Sequence, residues 1–151
     1  MEAESYADER VAAFIHANFL PVEAHIKEHP AWFHRFDASW TPTVLVLDSK
    51  GAERYRIEGY LPKEEFEAQL QMALARIAFK EKRWPDAERI YGEVIGKYPN
   101  TSVAPEARYW RAVSHYKGTN DHTVLGQVAE ELQASSPESI WTKKASPWSG
   151  H

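Results

Sequence analysis

The chain has no cysteine, and that absence removes more chemistry than any other feature of its 151 residues. Disulfides, thiolate zinc sites and every thiol reaction by this polypeptide are excluded. Glycine is scarce too: seven residues, scattered, none gathered into a loop that would cradle phosphate. No apolar run approaches the length of a membrane helix, and no block of basic residues interrupts a formal charge of -4. Nucleic acid and membrane are therefore not expected as partners. The opening MEAESYADER is too acidic and polar to read as a signal peptide, so a cytoplasmic location is expected for the chain as given. A longer N-terminus would be free to carry an export signal.

What is present is enough to build a core. At 43% hydrophobic and 13% aromatic, the chain has room for one ordinary domain or two small ones. Its most informative stretch is SWTPTVLVLDSKGAERYRIEGY, residues 39–60. Thr43 to Leu47 is a short apolar, β-branched run that reads as a strand buried on both faces. Asp48-Ser49-Lys50-Gly51 is a polar turn, and Ala52 to Glu58 alternates as a second, antiparallel strand should. Proline at position 42 denies the ladder a donor, so it belongs at the strand's first residue or in a cis turn feeding it.

Upstream, Met1 to Phe19 begins as a helix with a Val11, Phe14, Ile15 stripe, and Asp8 is placed to start a fresh turn. Leu20 to Ile26 alternates Val22, Ala24 and Ile26 against Glu23, His25 and Lys27, the pattern of a half-buried strand. Pro30 to Phe36 is a short aromatic helix with its proline in the first turn.

This order of parts, with Trp40-Thr41-Pro42 before the apolar strand, resembles the cis-proline half of a thioredoxin fold. Met1-Glu2-Ala3-Glu4-Ser5-Tyr6 and Phe19-Leu20-Pro21-Val22 are similar to segments that follow the redox turn in bacterial thioredoxin-like proteins. The family's Cys-x-x-Cys, the strand before it and the aromatic residue leading the turn have no counterpart here. Only Thr41 and Pro42 carry over from the family's active-site surface. The resemblance implies a cis Thr41–Pro42 bond, and a backbone at Thr41 that meets an extended peptide as an added strand would. It also implies a sheet lacking its middle strand, with Val22–Ile26 and Thr43–Leu47 presenting facing open edges. Such edges invite pairing with another chain.

From Pro62 the periodicity becomes helical. Phe66, Leu70, Ala73, Leu74 and Ile77 share one face of a helix running to about Arg83, expected to serve both halves of the chain and tie them into one body. Trp84-Pro85-Asp86 reads as a corner. Ile90, Tyr91, Val94, Ile95 and Tyr98 form the next stripe, stopped by Pro99-Asn100. A third helix opens at Pro105 with Gly118 as its cap, and a fourth starts at Asp121 with Leu125, Val128 and Leu132 inward. Ile140 to Ala145 gives a last short turn, and the tail SPWSGH is expected to fray. Ala75 and Phe79 correspond to Ala112 and Tyr116, and Tyr98-Pro99 to Ser136-Pro137. With small residues at Ala75, Ala87 and Ala112, this resembles the tetratricopeptide pattern. KYPNTSVAPEARYWRAVSHYKG closely resembles repeats of bacterial envelope assembly proteins.

Other chemistry finds little support. His25, His29 and His34 have zinc-like spacing only on a helix, and His25 falls on the expected strand. Glu2 with Glu4, and Glu64 with Glu65, are carboxylates at helix starts. Ser5, Ser39 and Ser114 lack the glycine setting of a nucleophile elbow. Most of the six tryptophans and seven tyrosines fall at packing positions. No metal or cofactor is expected. Thr41-Pro42 stands apart, because the geometry that starts a strand also serves a binding edge.

The expected fold class is α/β with an incomplete thioredoxin-like sheet over residues 1–66, followed by an all-α tetratricopeptide-like array of helical hairpins over residues 62–148. The expected function is non-catalytic: an adaptor that binds a protein or an extended peptide, with self-association through open sheet edges as a further partnership. The alternative is a truncated thioredoxin-family oxidoreductase whose Cys-x-x-Cys lies upstream of Met1. A non-thiol hydrolase or metal protein has no residue constellation behind it.

Overall fold

A computed structural model describes residues 8–150. It divides into two compact units, Met1–Glu67 and Ala68–His151, with the division inside one helix.

The first unit opens with α1, Glu9–Asn18, where the Asp8 carboxylate accepts from the Arg10 and Val11 amides and so caps the helix. The expectation for Met1–Tyr6 lies outside the described residues. α2, Pro30–Arg35, starts on its proline. β1, Thr43–Leu47, and β2, Glu53–Glu58, form a two-stranded antiparallel sheet with a bulge at Val46/Leu47. Asp48 makes the turn between them: its Oδ1 accepts from the Lys50 and Ala52 amides at 2.9 and 3.0 Å, and Gly51 takes a φ of 81° that disfavours a side chain.

Two expectations fail in this unit. Leu20–Ile26 is not a strand: it is irregular and turns at Ile26–Glu28, with Leu20 92% and Val22 67% exposed. A strand exists only beside a partner, and among the described residues no strand lies alongside this one. Nor is β1 buried on both faces. Only Val46 is fully shielded, while Leu47 is exposed, because a sheet of two strands covers little.

α3, Lys63–Lys80, carries Glu64 and Glu65 in its first turn. Within the first unit, Lys63 bonds to Asp8 and Arg10 to Glu67, tying the start of α3 to α1. The single-stripe reading of α3 needs correction: Leu74 and Ile77 are only half-buried, whereas Ala68, Met72, Ala75 and Ala78 are buried. A helix covered on several sides shows no single face, and alanine is the residue that lets neighbours approach.

The second unit continues with α4, Trp84–Lys97; α5, Ala104–Thr119; α6, Thr123–Ser135; and α7, Ile140–Ala145, followed by a 3-10 turn at Ser146–Trp148. Trp84-Pro85-Asp86 is the first turn of α4 rather than a corner, with proline where no intrahelical donor is needed. Gly118 does not cap α5. The helix runs on to Asn120, whose left-handed φ of 64° ends it, and a Cβ on Gly118 would lie 3.1 Å from the Trp84 Cβ. Gly118 is small because α4 passes close by. Asp121 accepts from the Thr123 amide one position outside the helix it was expected to cap, and His122 holds the cap position.

Aromatic rings join these helices. Phe79 of α3 meets Trp84 of α4 edge-on at 5.0 Å and Trp110 of α5 at 5.2 Å. Tyr109 of α5 contacts Trp141 of α7 and stacks on Trp148, each at 5.1 Å. The tail expected to fray is thus held by Trp148. Ala112, Val128, Ala129, Leu132 and Ala145 form the core beneath.

One carboxylate sits awkwardly in this unit. Burial pushes the Glu106 carboxyl above its ordinary value of 4.5, opposed by the charges of Arg76 and Lys144. A group whose pKa is raised on folding adds stability below its unfolded pKa and loses it as pH rises through the folded one. Glu106→Gln should therefore flatten the fall in stability from acidic to neutral pH, as followed by denaturation midpoints of both proteins across that range. Parallel pH profiles for the two would show the carboxyl to be unperturbed.

Candidate functional site

The segment from α2 to β1 is fixed at several points before it reaches Thr41. The Ala38 amide donates to the Phe33 carbonyl at 2.9 Å and the Asp37 amide to His34 at 3.2 Å, closing the end of α2. From β2, the Arg56 guanidinium reaches back to the carbonyls of Phe36 and Asp37. Arg56 is itself held by Glu53 and Glu58, and these carboxylates drive its pKa further up, so its charge is permanent. The Thr43 hydroxyl donates to the Trp40 carbonyl at 2.6 Å, and the Gly59 amide donates to the Pro42 carbonyl at 2.8 Å. Gly59 takes a φ of 85°, a backbone conformation that disfavours any side chain there.

Between these anchors Thr41 is exposed, and among the described residues no backbone hydrogen bond is made by its N–H or C=O. The Thr41–Pro42 peptide bond is cis. Beside it lies a shallow hollow of about 330 Å³ lined by Ile26, Phe33, Ala38, Ser39, Trp40 and Thr41. Trp40 is 62% exposed and Ile26 57%, so the lining is apolar and wet at once. An anchored loop whose backbone donor and acceptor bond to no described residue, next to an apolar recess, is chemically suited to an extended polypeptide: the backbone pairs, and a side chain fills the recess.

The sequence singled out Thr41 and Pro42; the hollow's other walls were not legible as a site. Phe33 and Trp40 were signalled only by the aromatic density of AWFHRF and SWTP, and Ile26 was assigned to a strand that does not form. The histidines do not converge. The His25 carbonyl accepts the Glu28 and His29 amides in a turn, and His29 stands at the N-cap position of α2 without a side-chain capping bond, its ring 5.2 Å from Trp32. Among the described residues no three histidine, aspartate or glutamate side chains are grouped to hold a metal. Ser114 is buried, donating to the Trp110 carbonyl, and Ser39 lines the hollow. No helix of the described residues is long and apolar enough to cross a membrane.

Residues 1–74 match the family model of a thioredoxin-like domain. The first half of the chain carries a thioredoxin-like domain. The match ends within α3 and includes Thr41, Pro42 and the walls of the hollow. No curated protein and no solved structure shows significant similarity to the chain.

Proposed function

We propose that this chain is a non-catalytic adaptor whose thioredoxin-like domain binds an extended peptide at Thr41–Pro42, and whose helices are tetratricopeptide-like hairpins offering a second protein-binding surface. The observation that carries the reading is that the backbone of exposed Thr41 bonds to no described residue and lies beside the Ile26–Phe33–Trp40 hollow. Anchoring by Arg56, Thr43 and Gly59 lowers the ordering cost of binding there. With no cysteine in its 151 residues, the polypeptide has no thiol to attack what it binds.

The repeat reading is supported by matched helix ends. α4 stops at Tyr98 with φ -131° and ψ 53°, and α6 stops at Ser136 with φ -148° and ψ 58°. A proline follows each, and a proline holds the residue before it out of the helical region. Gln71 of α3 bonds to Glu93 of α4, and Arg108 and Arg111 of α5 bond to Glu131 of α6, a polar tie within each hairpin.

An array of short unstructured peptides, probed with the whole chain, should yield binders whose affinity depends on the hollow. Trp40→Ala should weaken them about tenfold or more, as loss of an aromatic anchor does, and Thr41→Pro, which deletes its backbone N–H, should do the same. Binders indifferent to both changes would remove the site.

A further inference from the structure

We infer that the face shared by α3, α5 and α7 takes an acidic segment of another polypeptide, held by Arg76, Lys144 and the indole N–H of Trp110. Such a segment is the partner of the second protein-binding surface proposed above, and its assignment rests on that reading. The three helices meet through their rings: Phe79 of α3 lies 5.2 Å from Trp110 of α5, and Trp110 lies 5.9 Å from Trp141 of α7. Beside each ring, three or four residues along its helix and so on the same side, stands a charged residue: Arg76, Glu106 and Lys144. Lys144 rests its ammonium 4.1 Å from the centre of the Trp141 ring. Arg76, the Trp110 N–H and Lys144 all act on the Glu106 carboxyl, so the four groups lie in one place.

The donors here outnumber the acceptors. Arg76 is half-buried but ion-pairs with no described residue, unlike Arg108 and Arg111, which share Glu131. Lys144 has no carboxylate partner among the described residues either, its contact being the Trp141 ring. The Trp110 Nε1 is buried, and near as it is to Glu106 it completes no hydrogen bond of good geometry. Glu106 is a poor counter-charge for these groups, because burial opposes its ionisation. A buried donor without an acceptor is costly. Donors on three helices, Arg76 and Lys144 being cations, therefore select a ligand with anionic oxygens, and in a polypeptide that group is a carboxylate. The place is open rather than enclosed. Lys144 is exposed and Trp141 half-buried, which suits a chain laid across the helices better than a small molecule in a cavity.

Nitrogen–proton spectra of the whole chain, titrated with N-acetyl hexaglutamate amide, should show saturable movement of the Trp110 indole resonance. The hexalysine and hexaserine counterparts should leave it in place, and free glutamate at equal carboxylate concentration should act far more weakly. Arg76→Gln should weaken the binding roughly tenfold, as loss of a half-buried charged donor does, and Lys144→Gln, at an exposed position, roughly two- to fivefold. Glu106→Gln, which removes the negative charge between the two cations, should tighten it. Glutamine is a good helix former, so the helical circular dichroism should be unchanged in all three. An indole unmoved by hexaglutamate, an equal response to hexalysine or to free glutamate, affinity indifferent to both cation changes, or weakening by Glu106→Gln would each overturn the proposal. If a non-acidic peptide then still binds the helices, the second surface stands and its acid preference alone falls. If no peptide moves a resonance of α3, α5 or α7, both fall.

Discussion

Phe66→Ala is expected to lower the stability of the protein by about 3–5 kcal/mol, the usual cost of emptying a fully buried phenylalanine site. Phe66 is 0% exposed at the first turn of α3, its amide donating to the Pro62 carbonyl. The first unit has few residues to share that role. Its buried apolar side chains among the described residues are Val11, Val46, Ile57 and Phe66, while Leu20, Val22, Ile26, Trp32, Trp40, Leu47 and Tyr60 are exposed. Small domains have total stabilities of about 5–15 kcal/mol, so the loss is a large fraction of what is available. Urea denaturation should show a much lower midpoint at similar slope. A loss below about 1 kcal/mol would mean that the cavity collapses and that α3 does not depend on this ring.

Leu132→Ala should cost about 2–5 kcal/mol. Leu132 is also 0% exposed, in a core of Ala112, Val128, Ala129 and Ala145 with Tyr109, Val124 and Trp148 packed against it. Three of those partners are alanines, so the leucine fills space that no neighbour can flex into. Its carbonyl also takes the Ser136 amide and the Thr142 hydroxyl, joining α6 to α7. The same denaturation experiment, followed by the helical circular dichroism, measures it. Leu132→Met, close in volume, should cost under about 1.5 kcal/mol. Equal losses for Ala and Met would show that volume is not what matters at this position.

Local chemistry was readable where the cause is local. The β1–β2 hairpin followed from TVLVL and the Asp48–Gly51 turn, and the helix starts from Asp8, Pro30 and Pro105. What escaped depends on neighbours. The alternation Val22, Ala24, Ile26 has the period of a strand, but period creates no partner to pair with. Gly118 obeys the rule for a helix end, yet its smallness answers to Trp84 across the α4–α5 contact. Trp148 looked like part of a loose tail because nothing near it in sequence announces Tyr109. The site divides the same way. Thr41-Pro42 stands out through the resemblance to the cis-proline segment of thioredoxin-like proteins, whereas the hollow is assembled from Ile26, Phe33 and Trp40, which the turn at Ile26–Glu28 and Arg56 reaching back from β2 help to bring together.

The central claim is that the backbone at Thr41 receives an extended polypeptide, and nitrogen–proton correlation spectra of the whole chain test it most directly. Titration with a peptide selected on the array should move the Thr41 amide, the Ser39 and Ala38 amides and the Trp40 indole together, with slowed exchange of the Thr41 proton as it gains a partner. Saturable binding that leaves all four resonances in place would contradict the account.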